Sequence, residues 1–252
     1  MRSRSLSLLA VVLSAAAVAA QVPDKFTNLK VLPKDISKAE LSDTMRRFSF
    51  SLGVRCQHCH AGPEGPTLAG VDFPSDEKET KRTARAMLQM VEAINRDYVA
   101  KLGKATPLRV ECVTCHRGLN RPQTLMAVLN EELGKSGPAA AVVRYHELRK
   151  KYYGGGQYDF SETSLNQLAE SLLKTKRTKE AVAIMELNAE VNPITGWGYS
   201  VLAMSHRANG DIDKAKTDFQ KILELQPQNG WAKQQLEELQ TKKQMRERER
   251  GF

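Results

Sequence analysis

Beyond its first twenty residues the sequence has no apolar run long enough to cross a membrane. It has no low-complexity stretch, and only 6% of its residues are aromatic. No cysteine lies near residue 20, so a lipid anchor on an N-terminal cysteine is not expected. Cysteine is scarce altogether: there are four, and histidine is nearly as scarce at five. What remains is the composition of an ordinary globular protein of 252 residues, enough for one or two domains.

The first twenty residues stand apart. Arg2 and Arg4 precede an apolar run from Leu6 to Val18, and small residues follow at Ala19 and Ala20. This order is that of a secretory signal peptide over residues 1–20, with cleavage expected before Gln21. An uncleaved anchor is the competing reading, but the run is short for a bilayer. The expected location is periplasmic or otherwise extracytoplasmic. Loss of Arg2 and Arg4 takes the formal charge from +9 to +7. An exported basic surface points away from nucleic acid and toward solvent or acidic protein partners. Membrane association is expected only through a partner or an uncleaved leader.

All four cysteines fall in two copies of one motif, Cys56-Gln-His-Cys59-His60 and Cys112-Val-Thr-Cys115-His116. Structural disulfides within so short a loop would constrain little chain entropy. A thioredoxin-type redox pair or a four-cysteine zinc site would leave both histidines without a purpose. C-x-x-C-H uses every residue: two thiols form thioethers with haem vinyl groups, and the histidine becomes an axial iron ligand. The assignment is Cys56, Cys59 and His60 for one haem, and Cys112, Cys115 and His116 for the other.

The second axial ligand decides function, because an open position allows ligand chemistry and a filled one favours electron transfer. His58 lies inside the first motif, and His146 and His206 lie far downstream; surface or packing roles are expected for them. Methionine is the alternative. Ser37 and Glu40 form a capping box, and Leu41, Met45, Phe48 and Leu52 follow on one helical face. A longer helix, expected from a cap at Ser75 to about Leu102, carries Ala84, Met87, Val91, Ile94 and Tyr98 on its apolar face, with Met90 to one side. A methionine on such a stripe is by default core filler. Here each haem motif follows a helix with a central methionine.

Several stretches together resemble the photosynthetic reaction-centre cytochrome c subunit family. They are Asn28-Leu-Lys-Val-Leu32, Thr44-Met45, Cys56 to His60, Ala84 to Met90 with Ala93-Ile94-Asn95, and Thr114-Cys115-His116-Arg117-Gly118. The resemblance covers about residues 25–122. It implies that each helix supplies a methionine to the haem bound just downstream, and the matching positions are Met45 and Met87, not Met90. It also implies one dihaem half of a family whose reaction-centre member has four haems in two halves. The histidine that ligates a further haem in that half is matched by Lys101, in keeping with two haems here. The resemblance carries the haem chemistry to this chain and not a photosynthetic partner.

About a hundred residues, including a Gly/Pro-rich loop at 61–74, make a thin core on their own. Two porphyrins would supply the missing apolar surface, so the domain without haem is expected to be largely unfolded.

The second half is cysteine-free. Leu168-Ala169, Ala181 and Pro193 recur as Leu202-Ala203, Ala215 and Pro227, each at an offset of 34 residues. That is the tetratricopeptide period, and Asn209-Gly210-Asp211 marks the turn between paired helices. Two repeats are expected over 162–195 and 196–229, with a capping helix after them and another helix near 138–152 in front. Gly154-Gly155-Gly156 breaks the chain between that helix and the array. Such stacks commonly present a concave face to a peptide or protein.

The resulting expectation is a mainly α chain: a dihaem c-type cytochrome domain at 21–123 and an α-α superhelical tetratricopeptide-type array at 124–252. Its function would be outer-sphere electron transfer between redox partner proteins, with the array as a docking module and no catalytic residues. The competing classes are a dihaem peroxidase-like enzyme, which needs an open iron position, and a haem-containing scaffold or sensor.

Overall fold

A computed structural model describes residues 23–102 and 108–250. The expected signal peptide lies outside the described residues. The described chain is helical, with no β-strand and one isolated bridge between Ala61 and Asp72. It divides into two compact units, one through Asn120 and one from Arg121.

The first unit opens with helix α1, Lys38–Leu52. The Ser37 side chain accepts from the Glu40 amide at 3.2 Å, and the Glu40 carboxylate accepts from the Ser37 amide at 3.0 Å, so the capping box forms as its sequence dictates. The helix ends at Gly53, whose φ of +65° is left-handed and favours glycine. Cys56–His58 form a single 3₁₀ turn.

Helix α2 spans Glu79–Ala93 and starts later than the sequence suggests. Ser75 does not cap it. The Ser75 hydroxyl accepts from the Glu77 amide at 3.2 Å in a local turn, and its carbonyl is taken by Lys81 Nζ at 2.7 Å. The chain enters the helix only after Lys78, which is extended. Beyond α2 the path continues as a π turn, Ile94–Tyr98, and a 3₁₀ turn, Val99–Lys101. The wider turn breaks the 3.6-residue register. Ala84, Met87, Val91 and Ile94 are half-buried as the stripe requires, but Tyr98 falls off it and is exposed. Helix α3, Cys112–His116, carries the second motif and packs against α1.

The second unit begins with α4, Leu125–Ser136, capped by the Thr124 hydroxyl, and α5, Pro138–Tyr152. Proline at the first position of α5 suits a helix start. The paired helices follow: α6 Glu162–Lys174, α7 Thr178–Val191, α8 Gly196–Asn209, α9 Ile212–Leu225, then α10 Gly230–Arg250. The period in the sequence is the period in space. Ala169 and Ala203 are both fully buried on first helices, and Ala181 and Ala215 on second helices. Small residues at those points let neighbouring helices approach. Gly210 closes α8 with φ of +93°. A ladder runs from half-buried Asn192 to buried Asn188 and Asn166, with side-chain amide bonds of 2.9 Å at each step. It satisfies polar groups inside an otherwise apolar core.

Candidate cofactor site

The two histidines of the repeated motif share one arrangement. His60 Nδ1 lies 3.1 Å from the Phe73 carbonyl oxygen, and His116 Nδ1 lies 2.8 Å from the Leu119 carbonyl oxygen. A carbonyl oxygen only accepts, so in each ring Nδ1 carries a proton, and the neutral form of such a ring has its lone pair on Nε2. That tautomer is the one a metal ligand needs, and the backbone bond fixes the ring's orientation. Burial, and then the nearby Lys81 ammonium, push the His60 pKa below its ordinary value, which favours the neutral ring. Phe73 also meets the His60 ring edge-on at 5.1 Å. His116 is buried.

Each cysteine pair sits in a single helical turn. The amides of Cys59 and His60 both donate to the Cys56 carbonyl, at 3.1 and 3.0 Å. In α3 the Glu111 amide donates to the Thr114 hydroxyl at 3.0 Å, which fixes the start of the turn. Residues three apart in a helical turn share a face, as two thiols meeting one planar group must. All four cysteines are free. Burial raises the Cys59 pKa, and burial likewise raises that of Cys112. These are not the lowered values of a redox-active thiolate. Among the described residues no three His, Cys, Asp or Glu side chains gather as a metal cluster, so the four cysteines do not converge on a zinc site.

The first motif is stitched to the loop that follows it. Gln57 Nε2 donates to the carbonyls of Gly65 and Thr67 at 3.1 and 2.9 Å. The Thr80 hydroxyl donates to the His58 carbonyl at 2.5 Å, and Lys78 Nζ donates to the Gln57 carbonyl. The second motif is held from the π turn that follows α2. Asn95 accepts the Val110 amide and donates to the Val110 carbonyl, both at 2.8 Å.

Met45 is half-buried in the middle of α1, and Met87 half-buried in the middle of α2. Met90, three residues on, is 45% exposed. Lys101 is exposed in the last 3₁₀ turn. Of the other histidines, His206 is buried in the second unit beside Asp218, at 2.6 Å, while His146 lies 3.8 Å from Glu190 and His58 is half-buried within the first motif. Sequence reasoning missed Lys81 and Thr80, and quoted Asn95 only within a matching stretch without a role. All three act through backbone carbonyls or amides, which leave no mark in residue spacing.

The residues present fit a porphyrin. Among the described residues the only buried hydrophobic side chains of the first unit are Leu41, Ala61 and Leu119, whereas the second unit buries two clusters. Large apolar groups such as Phe50, Leu108 and Val113 instead lie at the first unit's surface. Beside Cys56 a pocket is lined by Phe50, Val54 and Leu68 together with Arg46 and Arg55, apolar walls with two cations. That is complementary to a flat apolar ring bearing carboxylates.

Known proteins resemble this chain in sequence. Cytochrome c-554 of Chloroflexus aurantiacus is 34% identical over a stretch covering 36% of this chain and 20% of that protein. The photosynthetic reaction center cytochrome c subunit of Thermochromatium tepidum is 32% identical, covering 36% of this chain and 24% of the relative. That of Rubrivivax gelatinosus is 27% identical, covering 46% and 36%. The chain thus spans about a fifth to a third of the length of these relatives. Among solved structures, the first TPR domain of the human RPAP3 protein aligns over 49% of this chain and 93% of its own at 18% identity, with a TM-score of 0.35. Residues 197–229, on α8 and α9, match the tetratricopeptide repeat. Residues 12–173 match the photosynthetic reaction centre cytochrome C subunit, more than half of the sequence, and the chain belongs to that family.

Proposed function

We propose that the chain is an exported electron carrier with two c-type haems in residues 21–123 and a docking array in residues 124–252. Cys56 and Cys59 would tether one haem, and Cys112 and Cys115 the other. His60 and His116 would bind iron through Nε2, with Met45 and Met87 as the opposite ligands. When bound, such a group supplies one-electron ferric/ferrous exchange.

The observation that carries this reading is the matched pair of Nδ1–carbonyl bonds at His60 and His116, at 3.1 and 2.8 Å. Both histidines have Nδ1 engaged by a backbone carbonyl, which leaves Nε2 as the nitrogen for iron, in motifs far apart in sequence. The rest of the site orients and shields. Gln57, Lys78 and Thr80 fix the first turn, and Asn95 fixes the approach to the second. No side chain in this arrangement needs to exchange a proton, so the residues serve as a rigid frame, which suits electron transfer with little rearrangement.

Redox partner proteins, and a peptide or protein held by the repeats, follow from this reading. Among the described residues no helix is long and apolar enough to cross a membrane.

The test is the absorption spectrum of the oxidised holoprotein and of two variants. The weak far-red sulfur-to-iron band should be present, and should fall by about half in Met45→Ala and in Met87→Ala. Carbon monoxide should bind the reduced variants and not the reduced parent protein. A parent protein that lacks the band and binds carbon monoxide would instead support the enzyme or sensor reading.

A further inference from the structure

The two histidine–carbonyl bonds differ in one respect. The Leu119 carbonyl receives His116 at 2.8 Å, and among the described residues no lysine is bonded to it. The Phe73 carbonyl receives His60 at 3.1 Å and also the ammonium of Lys81 at 2.6 Å. Lys81 Nζ further donates to the carbonyls of Pro74 at 3.0 Å and Ser75 at 2.7 Å. An ammonium has three N–H donors, and here three consecutive carbonyls take all of them. Lys81 is 9% exposed, an unusual burial for a lysine.

Its charge is paired with a carboxylate only at a longer distance than with the carbonyls. The nearest, Asp76, stands 3.5 Å away. Asp76 is already engaged by Lys30 at 2.6 Å, Arg85 at 2.7 Å and Asn28 at 2.9 Å. Those contacts, the Lys30 bond first, hold its carboxyl well below the ordinary range. Arg85 also donates to the Asn28 carbonyl at 3.1 Å, so the cluster fixes the segment after Asn28 against α2. Lys81 is thereby aimed at the 73–75 backbone.

We infer that Lys81 is a positioning residue that sets the properties of the first haem through the Phe73 carbonyl, making the two haem sites electronically unequal. The inference rests on His60 being an iron ligand, as proposed above. Two effects act in the same direction. The ammonium draws electron density from the Phe73 oxygen, which weakens its hold on the His60 Nδ1–H and makes the imidazole a poorer donor. The buried positive charge also disfavours the more positive ferric state. Both raise the first site's reduction potential. The second site has a shorter bond and, among the described residues, no ammonium on its carbonyl.

The test is a redox titration of the holoprotein with low-temperature electron paramagnetic resonance, comparing the parent chain with Lys81→Met and Lys81→Arg. Haem content is measured first: if the parent chain carries no haem on the Cys56–Cys59 peptide, the electron-carrier reading itself has failed. With both haems present, one of the two redox components should move to lower potential in Lys81→Met. The expected change is roughly tenfold in its ferrous/ferric ratio at fixed poise, about 59 mV for a one-electron couple. Its resonance should shift with it, the other component should stay, and Lys81→Arg should return most of the change. If Lys81→Met does not incorporate the first haem, Lys81→Gln, which keeps a donor and drops the charge, is read the same way. An unchanged potential in the neutral variants, or an equal shift of both components, overturns the inference.

Discussion

Gly53 and Gly118 meet backbone to backbone: a Cβ on Gly53 would lie 2.2 Å from the Gly118 carbonyl oxygen. The Gly118 amide meanwhile donates to the Ser51 carbonyl at 2.8 Å. The end of α1 is therefore locked to the segment just after the second C-x-x-C-H motif, and the helix carrying Met45 is registered against His116. Gly53→Ala must push backbone apart and also hold alanine at φ of +65°. We expect a loss of at least about 2 kcal/mol from the first unit, measured by denaturant titration of the holoprotein. Gly134→Ala, in open space within α4, should instead add about 0.5–1 kcal/mol. Equal effects at the two glycines would contradict the close contact.

The thin protein core of the first unit makes its folding depend on the cofactor. Leu41, Ala61 and Leu119 are its buried hydrophobic residues among those described, against the two clusters of the second unit. The chain with all four cysteines changed to alanine should lose the helical circular dichroism of α1 to α3 and retain that of α4 to α10. A variant that keeps the full helical signal would show that the first unit folds without haem.

His206 gives the second unit a pH dependence. Its Nδ1 lies 2.6 Å from Asp218, and Nε2 lies 3.5 Å from Glu186, which itself pairs with Lys214 at 2.7 Å. Burial pulls the His206 pKa down, but the bond and charge of Asp218, aided by Glu186, outweigh burial and Lys214, and the net shift is upward from 6.5. A folded-state pKa above the unfolded one stabilises the protonated, folded form. That contribution is complete below about pH 6.5 and is lost as pH rises through the folded value. Denaturation of the second unit should therefore become easier from neutral to mildly alkaline pH, and His206→Gln should flatten the trend. A parent protein whose second unit gains stability over that range would contradict the assigned pairing.

Features set by local chemistry were legible in the sequence. The Ser37–Glu40 capping box, the 34-residue offset that places Ala181 and Ala215 in equivalent buried sites, and Gly210 as a helix stop all act over a few residues or a fixed period. The start of α2 was not, because Ser75 has a good cap's chemistry but its carbonyl is claimed by Lys81 from six residues away. Tyr98 was misplaced by the π turn, which no periodicity rule anticipates. Lys81 itself reads in sequence as one more solvated charge among Lys78, Arg82 and Arg85. Only folding brings three carbonyls to it.

The most direct test of the account is the mass of the mature holoprotein and of its proteolytic peptides. Two haems are expected, one retained by the peptide with Cys56 and Cys59 and one by the peptide with Cys112 and Cys115, with no free thiol remaining. Peptides of unmodified mass, with all four thiols alkylatable, would contradict it.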